Sequence, residues 1–146
     1  MSLFTRLDHV GIACHDLDQA VRLYRAAFDL EVCHRERNDD QGVVEAMIRL
    51  NGADDGGATY IQLLAPTRAD SPVGKFLRTR GEGLHHVAFG CADVDRASAV
   101  LRARGVDVLF DPPRAASMGS RATFLHPHDC GGVLVEIVTA ATIQSH

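Results

Sequence analysis

No apolar run approaches the ~20 residues needed to cross a bilayer, so a transmembrane helix is not expected. A cleavable targeting segment is not expected either, because Leu7-Asp8-His9-Val10-Gly11-Ile12 already reads as a structured strand. The C-x-x-C pattern is absent. Cys14, Cys33, Cys91 and Cys130 are scattered and read as reduced thiols of a cytoplasmic protein. Positive charge is not in excess: the formal net charge is −4, which argues against a general nucleic-acid binder but leaves room for a local basic pocket. What is present is ordinary for a globular chain. Hydrophobic residues make up 46% and charged residues 23% of 146 residues, which excludes wholesale disorder. A chain of this length buries roughly 70% of the surface its unfolded form exposes, enough for one unstapled domain over 1–146.

An internal repeat organises the chain. His9-Val10-Gly11-Ile12-Ala13-Cys14-His15-Asp16-Leu17-Asp18-Gln19-Ala20 aligns with His86-Val87-Ala88-Phe89-Gly90-Cys91-Ala92-Asp93-Val94-Asp95-Arg96-Ala97 at a constant offset of 77, with six of twelve pairs identical. An offset near half the chain implies two copies of one unit, not a many-membered solenoid. Each copy begins with a strand followed by a helix. Asp16, with Gln19 three residues on, suits an N-cap, and Leu17, Val21, Tyr24 and Phe28 form a helical stripe. In the second copy Asp93 suits the cap, Val94, Ala97 and Leu101 the stripe, and Gly105 the C′ position. Strand-like runs follow at 31–37, 42–50 and 58–65, and again at 106–110, 121–126 and 133–139. Ser71-Pro72 opens a short helix that ends near Gly81. The expected architecture is α+β: module 1 over 5–66, a linker helix over 70–81 and module 2 over 84–140, each module ordered βαβββ.

Strand phase decides which side chains share a face. Val10 and Ile12 point one way, and His9, Gly11 and Ala13 the other; Val87 and Phe89 repeat the first set, and His86, Ala88 and Gly90 the second. The bulky faces must cover the helices, leaving each histidine among small residues. His85 falls on the helix side. One histidine on such a face is more often structural, but two at equivalent places in a duplicated unit point to ligands. Gln62 is the lone amide in Ala58-Thr59-Tyr60-Ile61-Gln62-Leu63-Leu64, and Glu136 the lone charge in Val133-Leu134-Val135-Glu136-Ile137-Val138. Burying an isolated carboxylate is costly, and a cation offsets that cost. Gln62 follows His9 by 53 residues and Glu136 follows His86 by 50, so the pairs occupy corresponding places. Together they make an N2O2 donor set suited to Co²⁺, Ni²⁺, Mn²⁺ or Zn²⁺. Glu45 lies between Val43 and Met47 on the phase opposite to Val44, Ala46, Ile48 and Leu50, a partly apolar setting that raises a carboxyl toward a general base's range.

These residues carry a resemblance. The chain resembles the methylmalonyl-CoA epimerases of the vicinal oxygen chelate superfamily (the glyoxalase, bleomycin resistance and dioxygenase proteins) from about His9 to Val138. The supporting stretches are His9-Val10-Gly11-Ile12-Ala13, Gln62-Leu63-Leu64-Ala65-Pro66, Asp70-Ser71-Pro72-Val73-Gly74-Lys75-Phe76-Leu77, Arg80-Gly81-Glu82-Gly83-Leu84-His85-His86-Val87-Ala88 and Phe124-Leu125-His126-Pro127 through Gly132-Val133-Leu134-Val135-Glu136. The resemblance implies paired βαβββ modules forming a cupped mixed sheet around a metal, and a homodimer. It implies metal ligands at His9, Gln62, His86 and Glu136, with Co²⁺ first and Mn²⁺, Ni²⁺, Zn²⁺ or Mg²⁺ as alternatives. It implies catalytic roles for Glu45 as base and Glu136 or a water as the second acid or base. The implied reaction interconverts (2R)- and (2S)-methylmalonyl-CoA by proton transfer at C2 through a metal-stabilised enolate. Lys75 or Arg121 would hold the CoA tail. His128-Asp129-Cys130 departs from the Lys-Ser/Thr sequence common in these epimerases. The alternatives are an ethylmalonyl-CoA epimerase, a glyoxalase I-type isomerase, a metal-dependent dioxygenase, against which a Gln62 ligand speaks, and a metal-free antibiotic-binding module. No nucleic-acid or membrane partner is expected.

Overall fold

The computed structural model describes residues 2–50 and 58–140; the ends of the expected 1–146 span and residues 51–57 of module 1 lie outside them. Its elements run β1 (Arg6–Ala13), α1 (Leu17–Phe28), β2 (Val32–Asn38), β3 (Val43–Arg49), β4 (Tyr60–Pro66), α2 (Pro72–Arg80), β5 (Gly83–Gly90), α3 (Val94–Ala103), β6 (Arg114–Ala115), β7 (Arg121–Leu125) and β8 (Val135–Thr139). The chain divides into two compact units, His9–His85 and Met1–Asp8 with His86–His146. The βαβββ order expected from the repeat is present twice.

In the unit His9–His85 the strands lie in the order β2-β3-β4-β1. β1 pairs β4 in parallel, while β3 is antiparallel to both β2 and β4. Asp16 caps α1 by accepting from Gln19 N at 3.1 Å, as its position requires. Ile12 packs with Leu17, Ala20, Val21 and Tyr24 over Ala46, Ile48 and Leu63, so this phase of the strands faces α1. Phe28, expected in the helical stripe, is instead 58% exposed. The helix ends there, Asp29 turns into the left-handed region at φ 58, and Leu30 folds back into the cluster in its place. Ser71 caps α2 and Gly81 closes it. The opposite sheet face is not empty throughout: Val73 and Leu77 of α2 cover it at Ala13, Val43 and Leu64.

In the other unit the order is β5-β8-β7-β6, with β5 and β8 parallel and the remaining pairs antiparallel. Asp93 caps α3 through the amides of Asp95 and Arg96, and Gly105 follows the helix at φ +84. Val94, Ala97 and Leu101 bury against Leu125, Val135 and Ile137, with Val87 and Phe89 alongside. One expectation fails. Residues 106–110 form no strand beyond a single bridge from Val108 to Leu125, and β6 lies later, at Arg114–Ala115. The Thr123 hydroxyl takes both backbone groups of Phe110, from N at 3.0 Å and to O at 3.1 Å, where a ladder partner would bond. Pro112 and Pro113 then offer no amide hydrogens to continue pairing.

Candidate metal and proton-transfer site

Within His9–His85, three of the singled-out residues come from three neighbouring strands. Gln62 on β4 lies opposite Gly11 on one side and Met47 on the other. His9 is two residues from Gly11 and Glu45 two from Met47, so alternation puts all three polar side chains on the face away from α1. All three are buried, Glu45 to 3% exposure. The Gln62 amide donates from Nε2 to Glu45 Oε2 in a short contact. That bond fixes the amide's orientation, with Oε1 on the side turned away from the carboxylate. Gln62 therefore orients Glu45, a role its place in the sequence did not suggest.

In the second unit Glu136 on β8 pairs with Ala88 on one side and Phe124 on the other. His86, two residues before Ala88, shares their face. Its Nε2 lies 3.3 Å from Glu136 Oε2, and both side chains are buried. The Phe124 ring meets the His86 ring edge-on, centroids 5.6 Å apart. Sequence reasoning passed over Phe124, although alternation along 121–125 is enough to place it beside Glu136.

The adjacent histidines separate as their phases require. His85 packs edge-on against Phe76 of α2 at 5.0 Å, and burial pushes its pKa down to about 4, so it stays neutral at ordinary pH. Of the two cations considered for the CoA tail, Arg121 is engaged: its guanidinium pairs with Asp95 and reaches the Pro113 carbonyl. Lys75 lies exposed on α2.

The donor chemistry fits a cation. Among the described residues Glu45 and Glu136 are buried carboxylates, and a cation held beside them offsets the cost of burying that charge.

Residues 8–124 match the glyoxalase/bleomycin resistance protein/dioxygenase superfamily, well over half of the chain. The chain belongs to that superfamily. The resemblance read from the sequence is borne out by relatives within the superfamily. A variant of Streptomyces coelicolor methylmalonyl-CoA epimerase, solved with 2-nitronate-propionyl-CoA, is 60% identical with a TM-score of 0.92, over 95% of this chain and 99% of that one. A methylmalonyl-CoA epimerase solved with methylmalonyl-CoA and NH4+ is also 60% identical, with a TM-score of 0.93 over 98% and 99% of the two chains. The ethylmalonyl-CoA/methylmalonyl-CoA epimerase of Cereibacter sphaeroides is 35% identical over 90% of this chain and 96% of its own. The paired βαβββ units are those of the superfamily's vicinal oxygen chelate fold.

Proposed function

We propose that the chain is an isomerase that interconverts (2R)- and (2S)-methylmalonyl-CoA by moving the proton on C2. The observation that carries this reading is the buried Glu45 carboxylate held by the Gln62 amide, an oriented proton acceptor on the same sheet face as His9. Likeness to an epimerase solved with methylmalonyl-CoA supports the substrate. A nitronate is planar at carbon with its negative charge on oxygen, as an enolate is, so the Streptomyces coelicolor complex supports the reaction type.

His9, His86 and Glu136 are buried residues of ligand type that could hold a metal ion, and Gln62 Oε1 would complete the set. A divalent cation held there supplies Lewis acidity to the thioester and carboxylate oxygens that flank C2. The set of two imidazoles, an amide oxygen and a carboxylate suits Co²⁺, Ni²⁺, Mn²⁺ or Zn²⁺; the family resemblance puts Co²⁺ first, with Mg²⁺ as a further substitute. Glu45 takes the C2 proton from one face; the C–H electron pair passes into the enolate as the carboxylate becomes a carboxylic acid. Gln62 holds the receiving oxygen in place while the bond breaks. Glu136 in its acid form, or a water beside it, gives a proton to the opposite face of the enolate and is left as carboxylate or hydroxide, which inverts C2.

The rest of the reading is a single domain, a homodimer as the resemblance implies, and a cytoplasmic location. The four free cysteines support a reducing compartment. Ethylmalonyl-CoA is a second substrate reading, favoured by the name of the Cereibacter sphaeroides relative. Incubating one pure epimer of methylmalonyl-CoA with metal-loaded protein tests the proposal. The other epimer should accumulate to equilibrium; a rate no higher than the protein-free control refutes it.

A further inference from the structure

We propose that Arg114 is the cation that receives the phosphate groups of the CoA moiety, an assignment that rests on the epimerase reading. Three observations within one unit lead there. β6 is the last strand of its series, and Arg114 pairs with Ala122 of β7. Ala122 in turn pairs with Val138, two residues from Glu136 on the same face. Paired residues project to one side, so Arg114 stands on the face that carries His86 and Glu136, two strand spacings or about 10 Å from β8.

Aromatic rings connect the two places. His86 meets Phe124 edge-on, Phe124 meets Phe110 at 6.1 Å and 89°, and the Arg114 guanidinium lies over the Phe110 ring at 3.8 Å. Phe110 is itself fixed by the Thr123 hydroxyl, which bonds its amide and its carbonyl. The guanidinium is therefore oriented before any ligand arrives, yet the side chain is exposed. Among the described residues Arg121 pairs with Asp95 and Arg102 with Asp111, whereas no carboxylate pairs with Arg114. A stacked, exposed guanidinium without a carboxylate suits the planar, two-point recognition of a phosphate.

Position chooses among the substrate's anions. The acyl carboxylate must lie at the His86 and Glu136 end for C2 to react. Arg114 stands two rings farther out, where the pantetheine arm would deliver phosphates.

Steady-state kinetics with methylmalonyl-CoA and with methylmalonyl-pantetheine, which lacks phosphates, tests the assignment. Arg114→Gln should raise KM for the CoA thioester about tenfold and leave kcat within about twofold. Its KM for the pantetheine thioester should stay at the wild-type value. Raising ionic strength should weaken the wild-type preference for the CoA thioester and leave the variant nearly unaffected. Arg114→Lys, which keeps the charge and loses the planar stack, should fall between the two. An equal KM increase for both thioesters, or no increase for either, overturns the assignment. A wild-type chain inactive on both thioesters refutes the epimerase reading instead, and calorimetry with CoA alone then judges Arg114. Tighter binding to the wild type than to Arg114→Gln upholds the phosphate site; equal or absent binding overturns it.

Discussion

Replacing Glu45 with glutamine separates proton transfer from binding. The new side chain keeps the shape, and its carbonyl oxygen can accept from Gln62 Nε2 as the carboxylate does. A bond to a charged acceptor becomes a neutral one, a loss of about 1 kcal/mol. Glu45 is only 3% exposed, so removing its charge also relieves a desolvation cost that works in the opposite direction. The two terms oppose each other, and the melting temperature should fall by no more than about 4 °C. Turnover has no such compensation, because an amide cannot take the C2 proton. Loss of a positioned base lowers the rate by ~10²–10⁴, or about 3–5 kcal/mol in the barrier. Epimerisation of each pure epimer, with thermal unfolding and metal content measured on the same samples, makes the comparison. With Glu45 in its proposed role at one face of C2, proton exchange from one epimer should fall more than from the other. A folded, metal-binding Glu45→Gln protein with near-normal turnover refutes the assignment and moves the base to Glu136 or a water.

Other perturbations probe the remaining parts. His86→Ala should abolish stoichiometric divalent-metal binding while His85→Ala retains it, measured by metal analysis after dialysis; equal losses would contradict the strand-phase argument. Ser71→Ala removes an Oγ that accepts from Gly74 N at 3.1 Å and donates to the Arg68 carbonyl at 2.9 Å. It should lower stability by about 1–2 kcal/mol in denaturant unfolding with no change in kcat. Cys33 is exposed, whereas burial and the neighbouring Glu82 and Asp16 charges push the Cys14 thiol up to about 11. At pH 8 only about one Cys14 in a thousand is then thiolate, so alkylation should label Cys33 first and reach Cys14 faster as pH rises toward 11; the reverse order would contradict the burial.

The repeat was legible because both copies kept residues that act locally. Asp16 and Asp93 cap helices, and His9 and His86 keep the same strand phase. Period-two alternation also separated His85 from His86 and put Glu45 opposite Ala46 and Ile48. What escaped depends on partners distant in sequence. The Thr123 hydroxyl diverts Phe110 from a strand, and no pattern within 106–110 reveals it. Leu30 displaces Phe28 only because the chain turns at Asp29. The Gln62 to Glu45 bond joins residues whose strands must first pair in register. Arg121 looked available in the sequence for the same reason, since its partner Asp95 is carried by a different element.

Proton exchange at C2 tests the central claim most directly. Racemic methylmalonyl-CoA is mixed with metal-loaded protein in D₂O and followed by proton NMR. Reversible deprotonation predicts that the C2 proton signal disappears and the methyl doublet collapses to a singlet, with the thioester intact and the rate far above a protein-free control. A persistent C2 signal at saturating protein, or loss of the thioester without exchange, would contradict the account.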